Sequence, residues 1–244
     1  MHLGDSFYQG NKNVIEVKNL VKMYSYGNSE FAALDSISFD VKLGEFVSII
    51  GPSGSGKTTL LNMLSAMDRP TRGDVIINGN NINELSNAEL ATLRNREIGF
   101  IFQSFNLINT MTALENVGLP LMLQDVDRKE REKRAMDLLE KLGIANRANN
   151  LPLLMSGGQQ QRVAIARAII TNPKIILGDE PTGNLNTEDT EVVMGILEDI
   201  HKDYGNTLVI VTHNPEVANR AERIIRIKDG KIEGIESKVK LKEI

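Results

Sequence analysis

The chain has 244 residues, with 28 lysines and arginines against 32 aspartates and glutamates, and it contains no cysteine. The slightly acidic balance, without a basic stripe or an aromatic stacking platform, argues against nucleic acid as a partner, and the lack of cysteine excludes disulfide chemistry. No apolar run approaches the length of a membrane-spanning helix, and the N-terminal residues lack the apolar core of a signal peptide. We therefore expect one compact unit with a possible insertion, which neither spans a membrane nor is exported.

Strand patterns come first along the chain. Residues 14–17 begin an apolar strand, and residues 37–41 alternate apolar and polar side chains, which is typical of a half-exposed antiparallel strand. Both belong to a small predicted sheet in front of the segment described next. Between them, Tyr24 or Tyr26 could lay its ring against a purine base, although aromatic residues at such positions also serve as core or turn residues.

Residues 51–59 read GPSGSGKTT and lie between a buried-type strand and an apolar helical segment. The glycines leave room for backbone N–H groups to turn onto an anion, and the helix that follows adds the positive end of its dipole. Lys57 is placed to reach the outer phosphates of a nucleotide, and Thr58 to offer a hydroxyl to Mg²⁺. The alternative is a Gly/Ser-rich turn without a ligand. The residues predicted to bind nucleotide here are Gly51, Ser53, Gly54, Ser55, Gly56, Lys57, Thr58 and Thr59.

The middle of the chain continues the alternation of strands and helices. A hairpin is predicted at Asn78-Gly79, a helix over residues 87–96 and a buried strand over residues 98–102. Gln103 follows that strand, where its amide could meet a metal or a water, although a lone Gln at a strand end is usually a surface residue.

A charged helical pattern covers residues 128–143 and stops at Gly143. The region of residues 107–152 therefore resembles a helical lobe inserted in an α/β core.

A second helix start suited to an anion lies at Ser156, Gly157 and Gly158. The serine is a good N-cap, and the glycines expose backbone donors. An isolated SGG could equally be a flexible capped loop, but a short apolar strand follows and ends at Asp179 and Glu180. The carboxyl end of such a strand is where ligands bind in open α/β sheets, so Asp179 is placed to hold a magnesium shell and Glu180 to deprotonate a water.

In the last third of the chain, the sequence pattern predicts a helix capped by Thr187 and then a strand that ends before His213. His213 could donate to a γ-phosphate or a base, or could be a structural histidine. A hairpin is predicted at Asp229-Gly230. The helix is expected to bury one apolar face, formed by Val192, Ile196 and Ile200.

Together these motifs resemble the ATP-binding cassette family across residues 14–235. The phosphate loop, the Gln103 loop, the SGGQ signature, the acidic pair and His213 arrive in the order of that family. The resemblance implies an α/β fold in which a P-loop NTPase (RecA-like) core carries an antiparallel β subdomain and an inserted α-helical subdomain. It places the core and β subdomain in residues 14–106 and 160–235, the helical subdomain with the signature in 107–159, and a tail in 236–244.

The resemblance also assigns roles to individual residues. It implies ATP and Mg²⁺ as ligands, with two copies of the chain facing head to tail. It makes Tyr24 the adenine stacker, in preference to Tyr26. The roles it implies are catalysis for Glu180, His213, Gln103 and Lys57, magnesium binding for Thr58, Gln103 and Asp179, and contact with the ATP of the second copy for Ser156, Gly157, Gly158 and Gln159.

Within the family, the chain is similar to the ATPase subunits of the macrolide-exporter, lipoprotein-release and cell-division group. That similarity implies a permease of few spans with a large external domain. ATP-driven closure of the dimer would serve export or mechanical transmission, and the chain would lie at the cytoplasmic face of the membrane, held there by the permease.

Three positions depart from the family pattern. Met155 replaces a usual Leu, Gly178 a usual Ala, and Asn186 the usual Asp. Because Glu180 is unchanged, we expect hydrolysis to be retained. The alternatives are a regulatory module that binds ATP to hold a membrane complex together, which Asn186 favours, and a soluble cassette ATPase outside transport. The latter class usually carries tandem cassettes or a long coiled-coil insertion.

Overall fold

The computed structural model describes residues 12–27 and 29–238. It separates into two compact units, of which one extends to Leu90 and resumes at Thr207, and the other runs from Ala91 to Asn206. The predicted domain limits at residues 106, 159 and 235 stay a prediction. Residues 239–244 of the predicted tail, and the side chain of Tyr26, lie outside the described part of the chain.

The elements follow one another as strands and helices in mixed order. The strands are β1 (Asn13–Tyr26), β2 (Ser29–Lys42), β3 (Phe46–Ile50), β4 (Arg72–Ile77), β5 (Asn80–Asn81), β6 (Ile98–Ile101), β7 (Ile175–Asp179), β8 (Thr207–Thr212), β9 (Arg223–Lys228) and β10 (Lys231–Ser237). The helices are α1 (Lys57–Leu64), α2 (Asn87–Glu97), α3 (Ala113–Met122), α4 (Arg128–Lys141), α5 (Gly157–Ile169), α6 (Thr187–Tyr204) and α7 (Pro215–Ala218), with 3₁₀ turns at Ala145–Arg147 and Pro152–Leu154.

The first unit contains an antiparallel sheet in the order β2-β1-β4-β5. In β2 the apolar Ile37, Phe39 and Val41 are buried and the side chains between them are more exposed, which confirms the predicted alternation. The β4–β5 hairpin turns at Asn78 and Gly79, whose φ values are 47° and 84°. Both residues thus adopt the left-handed conformation that a type I′ turn requires, and the predicted hairpin is confirmed.

The same unit contains strands in the order β10-β9-β3-β8. The central strand β3 pairs in parallel with both β8 and β9, and all five of its residues are buried. Helix α1 begins after the short loop that follows β3. The β9–β10 hairpin turns at Asp229 and Gly230, with φ values of 48° and 74°, and confirms the second predicted hairpin.

The second unit pairs β6 and β7 in parallel and packs α3, α4 and α5 against one another. Helix α3 begins in a capping box between Thr112 and Glu115, and α4 begins at an Asp127 cap. The charged helix predicted over 128–143 is α4, and Gly143 follows its end with φ 68°. Within the described residues, every helix is too short or too polar to cross a bilayer.

Helix α6 corrects two predictions. Its N-cap is Asn186, and Thr187 is the first helical residue. Its buried face also differs, because Val192 is 45% exposed whereas Val193 is buried. With valine at both positions the sequence pattern fits two faces one residue apart, and packing selects the second. The buried apolar residues of α6 are Val193, Met194, Leu197 and Ile200.

Candidate active site

The phosphate loop follows β3 and ends at Gly56, the N-cap of α1, whose φ is 98°. A Cβ atom at Gly56 would lie 2.5 Å from the carbonyl oxygen of Ala33, and one at Gly51 would overlap the carbonyl oxygen of Ile227. Neighbouring backbone therefore leaves room only for glycine at both positions. The result is a tight turn that leads into the N-terminus of a helix, where backbone N–H groups lack partners within the helix.

Lys57 is buried at the start of α1. Its Nζ donates to the carbonyl oxygens of Gly51 and Pro52, at 2.9 Å each. The ammonium group is thus held at the loop by neutral acceptors, which an anion can replace. The nearby Ser55 hydroxyl is buried without a hydrogen-bond partner in the part of the chain that the structure describes. A positive charge and an unsatisfied hydroxyl in one glycine loop fit a phosphate group.

A cavity of about 440 Å³ opens beside this loop. The volume is in the range of sites for small-molecule ligands. The cavity brings together predicted residues from the loop and Tyr24 from β1. Its lining consists of Tyr24, Phe31, Ala32, Ala33, Gly54, Gly56, Lys57, Thr58, Thr59, Asp229 and Gly230.

Tyr24 is held in place by two polar neighbours. Its hydroxyl donates to Asp68 Oδ2 at 3.3 Å, and Lys22 pairs with the same carboxylate at 2.7 Å. The ammonium group of Lys22 also lies 5.2 Å from the centroid of the tyrosine ring. Burial acts to raise the pKa of Asp68, but the hydrogen bond from Lys22 and further donors outweigh it and lower that pKa. The ring therefore faces the cavity on a fixed support.

In the second unit, the side-chain ends of Gln103 and Glu180 lie close to the same glycine, Gly183. A Cβ atom at Gly183 would lie 2.8 Å from Gln103 Nε2 and 3.2 Å from Glu180 Oε2. The side chain of Asn184 donates to the backbone oxygen of Gln103 at 3.0 Å. Glu180 follows β7 with φ 44°, in the left-handed region that non-glycine residues adopt only in a minority of cases.

The signature segment forms the first turn of α5. The Ser156 hydroxyl accepts from the backbone N–H of Gln159 at 3.3 Å, and Gln159 Oε1 accepts from the backbone N–H of Ser156 at 3.1 Å. This capping box uses the serine oxygen as an acceptor and leaves its O–H proton free to donate. The carboxylate of Asp189 packs against Gly158 without room for a Cβ atom there. Met155 is buried, so the change from leucine preserves an apolar contact.

Arg167 was not predicted by the sequence patterns. Its guanidinium group donates to the backbone oxygens of Phe105 and Asn106, in the loop after Gln103. Both loop residues have positive φ, 61° and 49°. Burial lowers the pKa of Arg167 to about 10, so the group stays charged at neutral pH and fixes the loop.

The remaining predicted residues are divided between the units. His213 follows β8 in the unit that carries the phosphate loop, and its side chain is exposed, whereas Asp179 ends β7 in the other unit. Hydroxyl, amide and carboxylate oxygens from Thr58, Gln103 and Asp179 are donors that Mg²⁺ accepts. No cluster of three acidic, histidine or cysteine side chains that could hold a metal occurs among the described residues. Each of these three donor types suits Mg²⁺, which usually binds one or two protein carboxylates and completes its shell with phosphates and water.

Comparisons with known proteins agree with this geometry. Residues 34–183 match a family model described as ABC transporter. An uncharacterized ABC transporter ATP-binding protein of Thermotoga maritima is 50% identical over 225 residues, which cover 92% of this chain and 96% of the relative. The macrolide export ATP-binding/permease protein MacB of Hyphomonas neptunium is 45% identical over 219 residues, which cover 90% of this chain and 34% of the relative.

A solved structure is also similar. It is the dimeric post-hydrolysis state of an ATP-binding cassette of Methanocaldococcus jannaschii bound to ADP and Pi, with a TM-score of 0.86 and 46% identity. The match covers 91% of this chain and 98% of that one. The likeness confirms the predicted α/β fold with a P-loop NTPase core and an antiparallel sheet.

Proposed function

This chain belongs to the ABC transporter family, and we propose that it is the ATP-binding and ATP-hydrolysing subunit of a transporter of the macrolide-exporter and lipoprotein-release type. The observation that carries the proposal is the cavity of about 440 Å³, which joins a phosphate loop and its lysine to a supported tyrosine ring. The same cavity can thus hold the phosphates of a nucleotide at the loop and its base at the tyrosine ring.

ATP binds with its phosphates at the glycine loop and its base against Tyr24. Lys57 exchanges its two carbonyl partners for phosphate oxygens, a stronger charge-assisted pairing. The buried Ser55 hydroxyl gains a phosphate partner in the same step. The phosphate end of the site therefore improves its hydrogen bonding when ATP binds.

Hydrolysis depends on residues that follow strand ends. Glu180 accepts a proton from the attacking water, Gln103 positions that water and His213 donates to the γ-phosphate. Thr58, Gln103 and Asp179 are the residues that would hold Mg²⁺. When bound, the ion neutralises charge on the phosphates. The contacts around Gly183 support a joint role for Gln103 and Glu180.

The signature residues act on the ATP of a second copy. Ser156 keeps a free O–H donor, the N–H groups of Gly157 and Gly158 open the helix toward an anion, and Gln159 holds the cap in place. An isolated copy would leave that helix start without a nucleotide. The dimeric state of the similar cassette from Methanocaldococcus jannaschii supports this arrangement.

The proposed membrane partner is an integral membrane permease. The name of MacB joins an ATP-binding part to a permease part, and this chain covers 34% of that relative. We place the chain at the cytoplasmic face of the membrane, peripheral through the permease, where closure of the dimer drives export or mechanical transmission.

The test is to tag the chain in its native cell, solubilise the membranes gently and identify bound proteins by mass spectrometry. We expect a permease with few spans and a large external domain. A permease with many spans would contradict the branch, and a ribosomal or DNA-bound partner without any membrane protein would contradict transport itself.

A regulatory module remains a second candidate because Asn186 replaces the usual aspartate. However, the Asn186 side chain caps α6 by accepting from the backbone N–H of Asp189 at 2.8 Å, so the residue has a structural task. A steady-state ATPase assay with and without the permease separates the two candidates. A transport ATPase hydrolyses ATP at a rate that changes when the permease is added, whereas a regulatory module shows almost no ATPase activity in either condition.

A further inference from the structure

Phe31 lines the nucleotide cavity, yet its side chain is 54% exposed. Single exposed apolar residues are common, but this ring lies on the cavity wall beside an aromatic residue that already has a proposed task. Exposure at that place keeps the face of the ring accessible to whatever enters the cavity.

The position of Phe31 follows from the pairing of β1 and β2. Tyr24 and Phe31 stand directly opposite each other in the antiparallel register, so both side chains project from the same face of the sheet. Their ring centroids are 5.9 Å apart, and the ring planes are inclined by 38°. The support that Asp68 and Lys22 give to Tyr24 therefore also fixes the surface against which Phe31 rests.

We propose that Phe31 is a second base-binding residue, which together with Tyr24 forms a two-ring wall for the purine; the inference rests on the proposed binding of ATP at this cavity. A base inserted between two rings needs centroids about 7 Å apart, so the pair leaves no space for a sandwich. Phe31 instead widens the apolar surface beside the ring on which the base stacks.

A stacking wall of this kind has a chemical signature. It contacts the face of a base and makes no hydrogen bond to the edge, so it contributes similarly to ATP and GTP. It contributes nothing to a ligand that consists of phosphates alone. The effect of Phe31 is therefore confined to ligands that carry a base.

The test measures dissociation constants by calorimetry in the Glu180→Gln background, for ATP, GTP and tripolyphosphate. Phe31 shares the base with Tyr24, so its own contribution to binding is smaller than that of a single stacking residue. We expect Phe31→Ala to raise the constants for ATP and GTP about fivefold to tenfold and to leave that for tripolyphosphate within twofold. Phe31→Tyr, which keeps the ring, should bind all three ligands as the parent does.

A matched control is Leu123→Ala, which truncates an apolar side chain that is 68% exposed in the other unit. It should change none of the three constants. Unchanged ATP binding in Phe31→Ala would overturn the inference, as would an equal loss of tripolyphosphate binding, which would indicate a distorted loop. If the parent binds tripolyphosphate but not ATP or GTP, the proposed function itself fails.

Discussion

Lys57 carries the positive charge of the phosphate loop, and its two carbonyl partners give a measurable prediction. Lys57→Met keeps the apolar stem but removes the ammonium group, which now donates to Gly51 and Pro52. A hydrogen bond to a charged group contributes about 1.5–3 kcal/mol, so we expect ATP affinity to fall roughly tenfold to hundredfold.

Thermal melting with and without MgATP provides the measurement. The parent should be stabilised by the ligand, whereas Lys57→Met should show a clearly smaller ligand-induced rise in melting temperature at the same MgATP concentration. An equal ligand-induced shift in parent and variant would exclude Lys57 from phosphate binding. The Phe31→Tyr variant serves as control, because its phosphate loop is intact.

Asn186 gives a second prediction at a single residue. Its side chain accepts from the backbone N–H of Asp189 at 2.8 Å and donates to the carboxylate of Asp189 at 3.1 Å. Asn186→Ala should cost about 1 kcal/mol of unfolding free energy, the usual contribution of an N-cap. Asn186→Asp should lose less unfolding free energy than Asn186→Ala, because an aspartate still accepts the capping hydrogen bond. It should still be less stable than the parent, because its carboxylate repels that of Asp189.

Urea denaturation measures both variants. Equal stability of the parent and Asn186→Ala would show that the cap contributes nothing. If the ATPase rate of Asn186→Asp were far above that of the parent, Asn186 would be what slows hydrolysis, and this result would favour the regulatory module.

Residue roles divide into those that sequence can predict and those that depend on the fold. The phosphate loop and Tyr24 come from a local motif and its known order along the chain. Phe31 becomes visible only from the register of β1 and β2, which contains several shifts. Arg167 donates to carbonyl oxygens that lie 61 and 62 residues away along the sequence, and the local pattern of a helix cannot predict such distant partners.

Elements were predictable where local chemistry decides their form. Both hairpins follow from residue pairs that adopt positive φ, and the end of α4 follows from Gly143. The cap and buried face of α6 were wrong by one residue. Two neighbouring valines and two neighbouring capping residues satisfy the same periodicity, and only the packed neighbours distinguish them.

The loop between β7 and α6 carries a prediction of its own. A Cβ atom at Gly183 would approach the end of Gln103 to 2.8 Å and that of Glu180 to 3.2 Å. Both contacts involve flexible side-chain ends, so Gly183→Ala should fold normally. Because small displacements of catalytic groups are costly, we expect kcat to fall about tenfold to hundredfold with ATP affinity unchanged.

Steady-state kinetics and nucleotide titration measure these two quantities. Gly195→Ala is the matched control, since no atom lies within 4 Å of its added Cβ atom and the site is within α6. It should keep the parent's rate and gain about 0.5–1 kcal/mol of stability. A Gly183→Ala variant with the parent's kcat would show that this loop does not position Gln103 and Glu180.

For the whole molecule, the signature helix explains why one chain carries two helix starts suited to anions. We propose that the cradle of α1 serves its own ATP and that the capped start of α5 serves the ATP of a second copy. Sequence order and resemblance predicted this division of labour. They could not predict that Asp189 packs against Gly158, because that contact depends on tertiary packing.

The central claim is that this chain hydrolyses ATP in a dimer, with Glu180 as the base. The most direct measurement compares Glu180→Gln with the parent by ATPase rate and by size-exclusion chromatography with ATP. Loss of a general base typically lowers the rate about 10²- to 10⁴-fold, and the variant should elute as an ATP-dependent dimer, which should need more ATP to form when Lys57→Met is added. A Glu180→Gln protein that hydrolyses ATP at the parent's rate, or that stays monomeric with saturating ATP, would contradict the account.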